Sequence, residues 1–183
     1  MSAPRRRSPV SRARGAATLL LFVVLAGCGL FNTQQQQACP RVTLLEEAAR
    51  VIQFRPSPVR DLTDMQFEGK IAGIGSRCKY GQTGFVDVTA TIDMIFSRGP
   101  AADSEMGSFE YFVVIANPGE EIIAKRVFSL DVAFPAAATR VAAREELTQR
   151  FSYIPAADAN LYRIYVGFQL TREQLDYQRK LHR

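Results

Sequence analysis

An antiparallel β-sandwich of immunoglobulin or fibronectin type, with one short C-terminal helix, is the fold this sequence predicts. Three observations carry it. Several segments alternate apolar and polar residues with period two, as half-buried strands do. Short clusters of Gly, Pro and Asn separate those segments. No strand-helix-strand alternation implies a parallel sheet. The count is about seven strands, and a small antiparallel barrel is the alternative closure.

The first clear segment is Met65 to Cys78, with Met65, Phe67, Ile71 and Ile74 apolar and Gly69, Gly73 and Gly75 permitting a bulge or bend. Tyr80-Gly-Gln-Thr-Gly84 joins it to the next strand. There Val86, Val88, Ala90, Ile92, Met94 and Phe96 alternate with Asp87, Thr89, Thr91, Asp93, Ile95 and Ser97. Arg98 to Gly107 is a longer loop. Phe109 to Ile115 is apolar on both faces, which suits a central strand. Asn117-Pro118-Gly119-Glu120 places Pro and Gly where a type II turn wants them. Phe128, Leu130, Val132 and Phe134 form one face of the following strand. Tyr162, Ile164, Val166, Phe168 and Leu170 form one face of the last, and Pro135 and Pro155 each close a run.

Two stretches read both ways. Thr43-x-x-Glu46 resembles a capping box at the head of 42–54, and 140–154 is rich in helix formers. In the second, Leu147, Gln149, Phe151 and Tyr153 alternate with Thr148, Arg150 and Ser152, and both stretches are assigned as strands because their neighbours are strands. At the C-terminus Thr171-Arg-Glu-Gln174 is a capping box, with Leu170 and Leu175 as its hydrophobic staple. Asp176 and Lys180 stand four apart, so a helix is expected from about Arg172 to Leu181.

The 183 residues divide into a leader, a tether and one domain at 39–183. The composition, 47% hydrophobic and 22% charged, is that of a globular chain. All of the net charge of +5 lies in Arg5, Arg6, Arg7, Arg12 and Arg14, so the chain from residue 28 onward has 18 residues of each sign. A neutral domain argues against nucleic acid as a partner. The basic residues precede Ala16 to Ala26, an apolar run of 11 residues, too short to span a bilayer. The run ends in Leu25-Ala26-Gly27-Cys28.

Over residues 1–28 the chain resembles bacterial lipoprotein precursors, whose lipobox reads Leu, small, small, Cys. A plain secretory signal is the other reading; a twin-arginine signal fits poorly around Arg5-Arg6-Arg7. The resemblance implies removal of residues 1–27 as a signal peptide and acylation of Cys28, which anchors the protein to a membrane without spanning it. It also implies the cell envelope. Gly29 follows Cys28 where an Asp retains lipoproteins in the inner membrane, which favours the outer membrane, facing the periplasm. Residues 28–38, with the run Gln34 to Gln37, read as a polar tether.

With Cys28 taken by lipid, Cys39 and Cys78 are left in an exported domain, and one disulfide is the simplest reading. Two buried free thiols or a metal site are the alternatives, but a metal needs more ligands than these. No cofactor is implied. The only His is His182, so no Ser-His-Asp or Cys-His constellation is expected. Asp87 with Asp93 sits on a polar strand face, and Asp61 with Asp64 reads as a turn. Gly73-Ile-Gly75 lacks the third Gly of a dinucleotide fingerprint. Tyr111, Tyr153, Tyr165 and Arg163, with Tyr177, Arg126 and Arg150, are residue types enriched at interfaces. They serve equally as cross-strand pairs on an exposed sheet. The sequence thus points to a non-enzymatic envelope module that meets another envelope protein, or to a carrier of a lipid or other hydrophobic ligand. A deep apolar cavity between the sheets separates the two.

Overall fold

A computed structural model describes residues 38–57, 61–81, 84–153 and 156–181. Its strands are β1 (Arg41–Leu44), β2 (Arg50–Phe54), β3 (Met65–Tyr80), β4 (Phe85–Arg98), β5 (Met106–Ala116), β6 (Ile122–Ala133), β7 (Arg140–Ser152) and β8 (Arg163–Phe168). One helix, α1 (Arg172–Leu181), follows. The strands form two four-stranded sheets, β1-β8-β5-β6 and β2-β3-β4-β7. The sheets stack as a sandwich and do not close into a barrel. All pairs are antiparallel except β1 with β8. The architecture is that of immunoglobulin and fibronectin domains, with a strand order of its own in which β2, β3 and β4 follow one another across one sheet.

Alternation decides which face each strand buries. Val86, Val88, Ala90, Ile92, Met94 and Phe96 of β4 all lie inside. They meet Phe109, Tyr111, Val113 and Ile115 of β5 and Ile164, Val166 and Phe168 of β8 from the other sheet. Rings interlock at the centre: Phe96 lies 4.5 Å from Phe109 and 6.3 Å from Phe168 between centroids.

The strand count exceeds seven because 42–54 is two strands. Thr43 belongs to β1, paired with Tyr165, and so cannot cap a helix. A single 3-10 turn at Glu46–Ala48 carries the chain from one sheet to the other. The stretch 140–152 is one continuous strand, its full length laddered to β4. Pairing with β4 overrides the helix preference of its Ala, Glu and Arg residues. The β3 bulge falls between Ile71 and Gly73. The β5–β6 turn differs from the expectation. Glu120, not Gly119, takes the left-handed conformation, with φ 62°. Its N–H donates to the Asn117 carbonyl at 2.9 Å. This is the three-residue connection in which a left-handed residue follows the turn. The Asn117 side chain makes it possible, accepting from the N–H groups of Gly119 and Glu121 at 3.0 and 2.9 Å.

The capping box forms as read. Thr171 Oγ1 accepts from the Gln174 N–H at 3.2 Å, and Gln174 Oε1 accepts from the Thr171 N–H at 2.9 Å. Cys39 and Cys78 are disulfide-bonded, with Cα atoms 5.7 Å apart. Beside the bridge the Tyr80 hydroxyl donates to the Ala38 carbonyl at 2.6 Å. The chain therefore enters the domain pinned to the end of β3.

Candidate functional site

The two outer faces of the sandwich differ in chemistry. On the β2-β3-β4-β7 sheet, the polar positions of β4 are matched by β7 in register. Arg150 grips Asp87 with two bonds of 2.6 and 2.7 Å. Thr89 and Thr148 share a hydrogen bond of 2.9 Å, and Arg144 donates to Asp93 at 2.6 Å. Arg77 of β3 reaches Glu146. The arginine bonded to each carboxyl holds Asp87, Asp93 and Glu146 below the usual carboxylate range. These carboxylates are anions committed to a neighbour, the solvated pattern of a structural face. The Asp61–Asp64 pair is likewise absorbed: Asp61 accepts from the Leu62 N–H, and Asp64 takes Arg55 at 2.6 Å.

The outer face of the opposite sheet carries an apolar strip among polar positions such as Ser108, Glu110, Ser129 and Asp131. Register places Gly167 of β8, Phe112 of β5 and Val127 of β6 side by side, and Tyr165, Val114 and Lys125 in the neighbouring row. A Cβ on Gly167 would lie 2.7 Å from that of Ala48, so glycine there lets the 3-10 turn pack flat on the sheet. The Lys125 ammonium lies 5.1 Å over the Phe112 ring. Val127 remains 47% exposed. β6 is also the last strand of its sheet, so one side of its 12-residue backbone has no partner strand. An open edge with exposed apolar residues is a template for another strand.

The interface residues read from the sequence do not gather there. Tyr111 is 2% exposed and stacks on Phe128 at 5.3 Å. It shares strand parity with Phe109 and Val113, which puts it inside. Burial, then the Glu145 carboxylate 3.4 Å away, pushes its hydroxyl pKa up. Tyr153 is buried too, edge-on to Tyr80 at 5.6 Å. Arg163 turns back onto the carbonyls of Asn160 and Leu161. Tyr177 sits edge-on to Phe54, and Arg150 serves Asp87. Of the set, Tyr165 lies on the apolar strip and Arg126 is exposed on β6. Cys28 and His182 lie outside the described residues. The sequence reading missed Phe112, Val127 and the β6 edge. The apolar positions Ile123 and Val127, off the buried parity of Phe128 and Leu130, were the available signal.

A carrier needs an apolar cavity. Among the described residues, two clefts of about 620 and 470 Å³ are lined largely by polar and charged residues. The larger is bordered by Glu46, Arg50, Glu68, Lys70 and Arg140, the smaller by Ser108, Glu110 and Asp131. Among the described residues no group of three His, Cys, Asp or Glu is placed to hold a metal, and no helix is long and apolar enough to cross a membrane. No family model matches the chain, and no curated protein is significantly similar to it.

Proposed function

We propose that this chain is a lipid-anchored, non-enzymatic module of the cell envelope that recruits another envelope protein. The partner adds an extended segment to β6 and covers the apolar strip around Phe112 and Val127. The observation that carries this is the asymmetry of the sandwich. Both sheets end in a long open edge, but β7 carries charged and polar side chains ion-paired to its neighbour, whereas β6 exposes Ile122, Ile123 and Val127. Main-chain bonding to such an edge supplies affinity, and pockets for alternate side chains supply specificity. The Leu25-Ala26-Gly27-Cys28 lipobox and the neutral domain support the envelope location, with the outer membrane favoured by Gly29.

A photo-crosslinking residue at Val127, compared with one at Thr91 on the ion-paired face, tests it in intact cells. A defined protein adduct is expected at 127 and none at 91. Adding Ile123→Lys should abolish the adduct without lowering the melting temperature. Equal labelling at both positions, or labelling indifferent to the lysine, would refute the assignment of the surface. Cys28→Ser should release the chain from the membrane fraction; unchanged fractionation would refute the anchor.

A further inference from the structure

We infer that the end of the sandwich where the tether enters is itself a lipid-binding surface, which seats the domain upright on the bilayer. This rests on the anchor at Cys28 proposed above. Pairing aligns Arg41, Arg163, Ala116 and Ile122 across one end of the first sheet. In the other sheet Tyr80 pairs with Val86, and Phe85 with Ser152, at the matching end. The Cys39–Cys78 bridge joins the two, and the Phe151 and Tyr162 rings meet 5.1 Å apart beside it. The chain outside the described domain therefore arrives at this pole, at Ala38.

Three large apolar side chains crowd the same pole and face solvent: Phe85, Ile122 and Leu161. Ile122 is 65% exposed. The exposed cations Arg41 and Lys79 accompany them. Glu120 and Glu121 of the hairpin stand there too and balance the cations, so the apolar tips supply the binding. The far pole carries Leu62 and Met106 with the exposed acids Asp61, Asp103 and Glu105 and the exposed cations Arg55 and Arg140. Exposed apolar side chains suit the headgroup boundary of a bilayer, into which such groups sink about 5–10 Å.

Tether length selects the same orientation. The eleven steps from Cys28 to Cys39 reach at most about 36–40 Å. β3 runs from Met65 at the far pole to Cys78 at the tether pole, a rise of about 43 Å for an extended strand. Seating the far pole on the bilayer would ask for more than the tether's full extension. Seating the tether pole leaves it slack.

The chain contains no Trp, so single tryptophans report position without background. The full mature lipoprotein, carrying Phe85→Trp, Ile122→Trp or Leu62→Trp, is reconstituted into vesicles containing brominated phosphatidylcholine. Leu161→Trp replaces either pole variant that fails to give the parent's circular dichroism. Fluorescence at positions 85 and 122 should fall to about half or less, from burial at that depth, while position 62 stays unquenched. Vesicle-bound protein with the acyl mass on Cys28 but no quenching at 85 or 122, or equal quenching at all three positions, would overturn the docking and leave the anchor standing. A mature chain with neither acyl mass nor vesicle association would overturn both.

Discussion

Glu120 shows what one residue can hold against its own preference. A residue with a Cβ loses roughly 1–2 kcal/mol in the left-handed region it occupies at φ 62°. Asn117 offsets this through its bonds to the flanking N–H groups. Glu120→Gly should therefore raise stability by about 0.5–1 kcal/mol, net of glycine's greater freedom in the unfolded chain. Denaturant titration checks it, and an unchanged or lower midpoint would mean that the turn stores no such strain. The residue scale is also where sequence reading was weakest. Tyr111 and Tyr153 have interface chemistry, but strand parity and ring packing decide which way they face. Pro118-Gly119 looked like a type II turn because composition names the residues of a turn without saying which one takes positive φ.

β4 and β7 together form the element whose electrostatics are most exposed to test. Asp87, Asp93 and Glu146 have their folded pKa values lowered by arginine neighbours below the ordinary carboxylate values of 3.8 for Asp and 4.5 for Glu. Such groups contribute stability that is present above the unfolded pKa and lost as pH falls through the folded one. Asp93→Asn should therefore melt lower than the parent near neutral pH. The gap should close as pH drops below 3.8 and through the depressed folded value, and it should narrow in high salt. Thermal melts from pH 7 to pH 2 would show this; a gap independent of pH would assign the loss to packing instead. The strands were legible because period two survives in one segment. The Asp93–Arg144 partnership was not, since the residues lie 51 positions apart and meet only through the β4–β7 register. The open edge of β6 was hidden for the same reason: which strand is last in a sheet is a property of topology.

At the scale of the whole molecule, the Cys39–Cys78 bridge ties the start of the described chain, just before β1, to the end of β3. It was readable from the sequence by elimination: with Cys28 read as lipidated, Cys39 and Cys78 are the pair that remains. The bridge closes a separation of 39 residues. Loop-closure entropy assigns such a link about 3–4 kcal/mol, through restriction of the unfolded chain. β1 is four residues long and lies at the edge of its sheet, paired to β8 alone. Val42 and Leu44 anchor it to the core, and the bridge holds its N-terminal end. The double variant Cys39→Ser, Cys78→Ser should lose about 3–4 kcal/mol by denaturant titration, and reduction of the parent should reproduce the loss. Hydrogen exchange at Arg41–Leu44 should accelerate more than exchange across the centre of β4, because opening begins where the staple was removed. If the variant keeps the parent's midpoint, and β1 its protection, then β1–β8 pairing together with the Tyr80–Ala38 bond holds the N-terminal end without help from the disulfide.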